Sequence, residues 1–173
     1  VLHRDGATFH EKIAELNTIP QLANKMRLTL TLADRILTTY GPDAGYALPL
    51  DAPLIIASTD VVSHDQIALL SLLWARLQTP ADDLAQDPYP AQSNGLNWWF
   101  VRVTWGDQIN GYQELPVFDQ LAASDVLTHI NHAYEILHGG RPDQIQVIPG
   151  ALPLPERLVS LLMGDPTLRI SVG

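Results

Sequence analysis

The stretch from Leu54 to Ala75 constrains the fold more than any other part of the chain. Leu54-Ile55-Ile56-Ala57-Ser58 is a short continuous apolar run, the pattern of a strand buried on both faces. Thr59-Asp60 closes it, and helix signals begin at once. Asp60 and Ser63 compete as the cap, with Gln66 at the capping-box position relative to Ser63. Ile67, Ala68, Leu69, Leu70, Leu72, Leu73, Trp74 and Ala75 then surround most of the helix. A helix apolar nearly all round is buried rather than amphipathic. Strand, tight turn and buried helix together make an α/β unit.

The neighbouring segments extend that unit. Thr8 to Leu16 reads as a helix, with Thr8 and Glu11 as a capping box and Phe9, Ile13 and Leu16 at helical spacing. Met26 to Ala33 alternates, with Met26, Leu28, Leu30 and Leu32 on one face and Arg27, Thr29 and Thr31 on the other, and Asp34 follows directly. Thr39 to Pro53 carries Gly41-Pro42, Gly45, Pro49 and Pro53 and reads as a loop. Residues 80–97, rich in Pro and Asp, read as an irregular insertion or lid. Trp98 to Trp105 alternates again, placing Trp99, Val101, Val103 and Trp105 on one face. A helix is predicted from Ser124 to about His138, stopped by Gly139-Gly140. Ile145 to Ile148 is predicted as a strand, Pro155 to Met163 as a helix and Thr167 to Val172 as a last strand. Residues 1–173 thus form a single α/β domain or one lobe of a larger protein, with a mixed or mainly parallel sheet and helices on both faces.

Composition narrows the function. Ten Lys and Arg against nineteen Asp and Glu give a net charge of −9. Such a chain lacks the electrostatic attraction on which nucleic-acid and anionic-membrane binding depend, so neither partner is expected. No apolar run approaches the roughly 20 residues that span a bilayer. With no cysteine, this chain supplies neither a thiolate nucleophile nor the ligands of a Cys-bound iron–sulphur cluster. The chain opens Val1-Leu2-His3 without Met or a signal-peptide pattern, as expected of a processed product or an excerpt of a longer polypeptide; the missing signal pattern suggests a cytoplasmic location.

Candidate chemistry gathers where strands end, because helix N-termini and loops converge there in open α/β sheets. Two predicted strands run into aspartate, Asp34 and Asp60, and Asp65 lies about one helical turn beyond the second. These three carboxylates form a candidate site for a divalent cation bound through oxygen, or for acid–base work. The plainer alternative is that Asp60 caps a helix and Asp65 complements its dipole. Gly41-Pro42 either brings backbone close to a ligand or makes a turn; it fits neither a Walker loop nor a dinucleotide fingerprint. His64 lies beside Asp65, where a carboxylate favours its protonated form, and His10 sits on the first helix. His129, His132 and Glu135 share helical spacing but lack the full zinc motif, and a solvated face is their simpler reading.

Several of these features coincide in one family. Phe9-His10-Glu11-Lys12-Ile13-Ala14-Glu15-Leu16, the alternating strand closing in Asp34, Gly41-Pro42, and Ile55-Ile56-Ala57-Ser58-Thr59-Asp60 running to Asp65 resemble the C-terminal half of the iron–sulphur-associated proteins catalogued as domain of unknown function 362. The resemblance covers about Val1 to Leu77. Val61 stands where the family pattern has Pro after the Asp, and the preceding lysine- and histidine-bearing segment and the cluster cysteines are missing. The resemblance implies a redox-linked or metal-linked parent whose own N-terminal region is the partner of this chain. No defined reaction follows, and no motif here fixes an enzymatic one.

The resulting expectation is a polar pocket for a cation or small ligand, built from Asp34, Gly41, Pro42, Thr59, Asp60 and Asp65 with His10 and His64 nearby. A non-catalytic scaffold with Trp98 to Trp105 as contact surface is the alternative, and a metal-dependent hydrolase a third.

Overall fold

The computed structural model describes residues 9–39, 45–85 and 128–171. Helix α1 (Phe9–Leu16) and the short α2 (Pro20–Ala23) lead into strand β1 (Thr29–Leu37). Then come β2 (Ala47–Ser58), α3 (Val61–Arg76) and α4 (Ala81–Ala85). After residue 127 the order is α5 (Thr128–His138), β3 (Ile145–Val147), α6 (Glu156–Gly164) and β4 (Leu168–Ile170). The mixed α/β class expected from the sequence is what the chain adopts. The tryptophan-rich segment 98–105 and Gly41-Pro42 lie outside the described residues, as does most of 80–97.

A mainly parallel sheet is not what these strands form. β1 pairs antiparallel with β2, whereas β3 and β4 pair in parallel through α6. Residues 38–46 are too short for a parallel crossover, which takes a dozen or more, so β1 and β2 can only fold back on each other. Two further expectations change. β1 runs through Asp34 to Leu37, and β2 begins at Ala47, inside the stretch read as a loop. Ala33 pairs with Leu54 but Arg35 with Pro49, so Asp34 stands opposite residues 50–53 at an irregularity. Prolines 49 and 53 fit because they fall beside that break, in a strand paired on one side only among the described residues.

The hairpin also turns its faces contrary to simple hydropathy. Leu28, Leu30 and Leu32 are 60, 60 and 70% exposed, and Ile55 is 64% exposed. Thr31, Ile56 and Ile36 face inward instead. Leu54 to Ser58 is therefore not buried on both faces. Among the described residues, helices cover one face of this hairpin rather than both.

The core lies on the inner face. Leu70, Leu73, Trp74 and Ala75 of α3 meet Leu158 and Leu162 of α6 and Leu168 of β4, with Ile36, Leu48, Ile145 and Val147 packed around them. A smaller cluster joins Val62 of α3 to Ile130 and Tyr134 of α5. The N-terminal end of α3 is thereby held against α5, and this junction builds the site.

Candidate functional site

Asp60 is the α3 cap that sequence suggested: its Oδ2 accepts from the Ser63 backbone N–H at 2.9 Å and from the Ser63 hydroxyl. Its second oxygen does something no local pattern foretells. Oδ1 lies 2.7 Å from Nε2 of His138, the last residue of α5. Gly139 follows at φ +74°, a left-handed conformation that glycine adopts without steric cost, and this turn ends α5 with His138 at its tip. In the neutral tautomer with Nε2–H donating to Asp60, Nδ1 keeps a free lone pair. The pair lines an open cleft of about 610 Å³ with Ser63, Tyr134 and residues 139–145.

Below it runs a buried polar chain. Tyr134 is fully buried and its hydroxyl donates to Gln66 Oε1 at 2.9 Å. Gln66 Nε2 in turn donates to Asp165 Oδ2 at 2.7 Å. Asp165 also accepts from Arg141 at 2.9 and 3.1 Å and from the Thr167 backbone N–H and hydroxyl. Ser63 Oγ and the Tyr134 oxygen sit 3.2 Å apart. Both hydroxyl protons are already committed, one to Asp60 and one to Gln66, so lone pairs remain and protons do not. With Asp60 and His138 Nδ1, this makes the cleft rich in acceptors.

The electrostatics hold both carboxylates of this region in their charged form. Burial raises the Asp60 pKa, but the hydrogen bonds from Ser63 and the contact with His138 outweigh it, leaving the carboxyl below its usual 3.8. Burial likewise raises Asp165, and Thr167, Arg141 and Gln66 more than reverse it, again to below 3.8. Burial pushes the Tyr134 phenol above its usual 10.0, with Asp60 and Asp165 adding to the rise. A depressed folded-state carboxylate contributes stability that is present above its unfolded pKa and lost as pH falls through the folded value. Denaturant midpoints should therefore hold above pH 3.8 as far as these two groups are concerned and fall below it. Asp60→Asn should flatten that acid limb; an unchanged limb would mean that Asp60 carries none of it.

With this geometry in hand, comparison with known proteins bears on one end of the chain. Residues 1–69 match the family model of domain of unknown function DUF362. The match supports a DUF362 relative. No curated protein and no solved structure matches the chain. The DUF362-matching stretch carries Asp60, Ser63 and Gln66, one wall of the cleft; Tyr134, His138, Arg141 and Asp165 come from beyond it.

Of the candidate site residues read from the sequence, Asp60 is the one among the described residues that lines the cleft, while Gly41 and Pro42 lie outside the described residues. Asp34 lies exposed within β1, not at a strand's carboxyl end. Asp65 is 59% exposed and 3.4 Å from His64 Nδ1, a long contact that solvent weakens. His64 is buried and its Nε2 lies 3.1 Å from Thr31 Oγ1, which ties α3 to β1. Thr59 is exposed, and His10 lies in α1 with its side chain outside the described ones. Asp34, Asp60 and Asp65 do not converge: among the described residues no three His, Cys, Asp or Glu side chains form a group able to hold a metal. No described helix is long and apolar enough to cross a membrane.

Sequence reading missed Tyr134, His138, Arg141 and Asp165. His138 was legible only as a helix terminus before two glycines, and its partner is 78 residues away.

Proposed function

We propose that this chain is the small-ligand-binding lobe of a larger DUF362-type protein. In the cleft of Asp60, Ser63, Tyr134 and His138 it takes a polar molecule bearing hydrogen-bond donors, an amine or a hydroxyl. The observation that carries this is the 2.7 Å pair of Asp60 Oδ1 and His138 Nε2 at the cleft mouth. A carboxylate that fixes an imidazole leaves its other nitrogen poised to accept a proton, the arrangement of an oriented general base. The acceptors of Asp60 and Ser63 favour a ligand that brings hydrogen-bond donors. With no cysteine, this chain does not itself ligate an iron–sulphur cluster through thiolates.

The test is a titration of ethanolamine, then of Zn²⁺ alone, followed by nitrogen-15 and amide NMR. Ethanolamine is expected to shift His138, Ser63, Tyr134 and residues 139–145 together, and His138→Ala to abolish the response. Shifts elsewhere, or none, would sink the reading. Saturation by Zn²⁺ with loss of the His138 Nε2 proton would instead favour a cation.

The scaffold alternative draws on a separate observation, the exposed face of Leu28, Leu30, Leu32 and Ile55. Apolar patches of that kind mark contact surfaces more often than solvent-facing ones.

A further inference from the structure

Ser63 and Tyr134 both line the Asp60–His138 cleft, and a hydroxyl can offer a ligand either its proton or a lone pair. Which of the two it offers is settled by its other partners, and here the direction starts at Asp165. The donors around that carboxylate outweigh its burial and keep it ionised, and an ionised carboxylate only accepts. Gln66 therefore has to turn its amide nitrogen toward Asp165 Oδ2, 2.7 Å away. The opposite orientation of the amide would set oxygen against oxygen at that distance. Thr167 reinforces the choice: its hydroxyl donates to Asp165 Oδ1 at 2.7 Å, so its oxygen is left to accept from Gln66 Nε2 at 3.3 Å. Only Oε1 of Gln66 then remains for Tyr134, whose hydroxyl donates to it at 2.9 Å. The Ser63 hydroxyl gives its own proton to Asp60 Oδ2. The Ser63 and Tyr134 oxygens thus face each other at 3.2 Å with no proton between them.

We propose that Asp165, acting through Gln66 and Tyr134, is the positioning residue that fixes the Ser63 side of the cleft as a hydrogen-bond acceptor, and so selects ligands that bring donors. The selection of ligands rests on the small-ligand reading of the cleft given above. Asp165 is not among the residues lining the cleft, and its side chain is 4% exposed, so it acts at a distance. A carboxamide in its place would let the chain run the other way. Asp165→Asn can keep its oxygen for Thr167 and Arg141 and turn its NH₂ toward Gln66 Oε1. Gln66 then presents its own NH₂ to the Tyr134 oxygen, and the Tyr134 proton swings to Ser63 Oγ. The bonds from residue 165 to Tyr134 survive with donor and acceptor exchanged, whereas a lone pair of Ser63 is filled from inside the protein. The cleft loses an acceptor without losing a residue that lines it.

Neutron diffraction from the intact, deuterated chain tests the proposal, because it places deuterons directly and tells an amide nitrogen from its oxygen. In the unaltered chain the Tyr134 deuteron is expected on the line to Gln66 Oε1, with the deuterated Gln66 nitrogen toward Asp165. Asp165→Asn is expected to turn the Gln66 amide over, to move the Tyr134 deuteron onto the line to Ser63 Oγ, and to weaken ethanolamine binding on the order of tenfold. Gln66→Met removes Oε1 altogether; it should turn the same deuteron and give a similar loss, and it decides the matter if Asp165→Asn fails to fold. A Tyr134 deuteron that points at Ser63 in the unaltered chain overturns the proposal. So does a deuteron that stays toward Gln66 in Asp165→Asn, even if binding weakens, since that is the mark of a merely structural role. A turned deuteron with unchanged ethanolamine affinity overturns it as well. If the unaltered chain leaves ethanolamine unbound, the small-ligand reading falls, while the deuteron positions still decide whether Asp165 sets the direction of the hydroxyls.

Discussion

Asp165→Ala is expected to lower the stability of the fold by roughly 3 kcal/mol, the largest single-site loss outside the apolar core. The Asp165 side chain is 4% exposed and holds Arg141, whose side chain is 26% exposed, together with Gln66 and Thr167. Truncation leaves a mostly buried guanidinium without its carboxylate and Gln66 Nε2 with only the longer 3.3 Å bond to Thr167 Oγ1. The expected loss sits at the lower end for a broken buried pair because Arg141 retains some contact with water. Urea unfolding gives the value. Replacing both partners by apolar residues, Asp165→Leu with Arg141→Met, should recover much of the loss, because no charge is then stranded. A loss below about 1 kcal/mol for Asp165→Ala would mean that the chain from Tyr134 to Arg141 is not held together through this carboxylate.

The second large effect separates two leucines that sequence treats alike. Leu73→Ala is expected to cost about 3 kcal/mol, since Leu73 is 2% exposed where α3 meets α6 and β4, and the vacated volume cannot collapse fully. Leu32→Ala should cost less than about 0.5 kcal/mol, because Leu32 is 70% exposed. A comparable loss at both sites would show the outer face of the hairpin to be covered in solution, and would move weight to the interaction reading.

Much of the local architecture was legible because local physics fixes it. The Asp60 cap, the all-round apolar α3, the β3 strand and the α6 helix depend on side chains a few residues apart, and each formed close to where its pattern predicted. Expectations failed where an element's surroundings had to be known. The alternating leucines of β1 define a face but not which way it looks. The inward face of β1 carries Thr31, which lies 3.1 Å from the buried His64. Hydropathy cannot weigh that polar tie against a leucine stripe. The prolines at 49 and 53 suggested a loop because a central strand excludes them; the one-sided pairing that tolerates them is a tertiary fact.

The sequence by itself determined a chain without thiol chemistry, poorly suited to nucleic acid, with a capped buried helix following a short strand. These properties belong to composition and to neighbours within one helical turn. The tertiary structure alone decided that Asp60 serves His138 rather than Asp34 and Asp65, and that Gln66, 99 residues before Asp165, meets it at 2.7 Å. The reason is that one carboxylate has two oxygens. The first is claimed locally by the helix it caps, while the partner of the second depends on how α5 packs against α3.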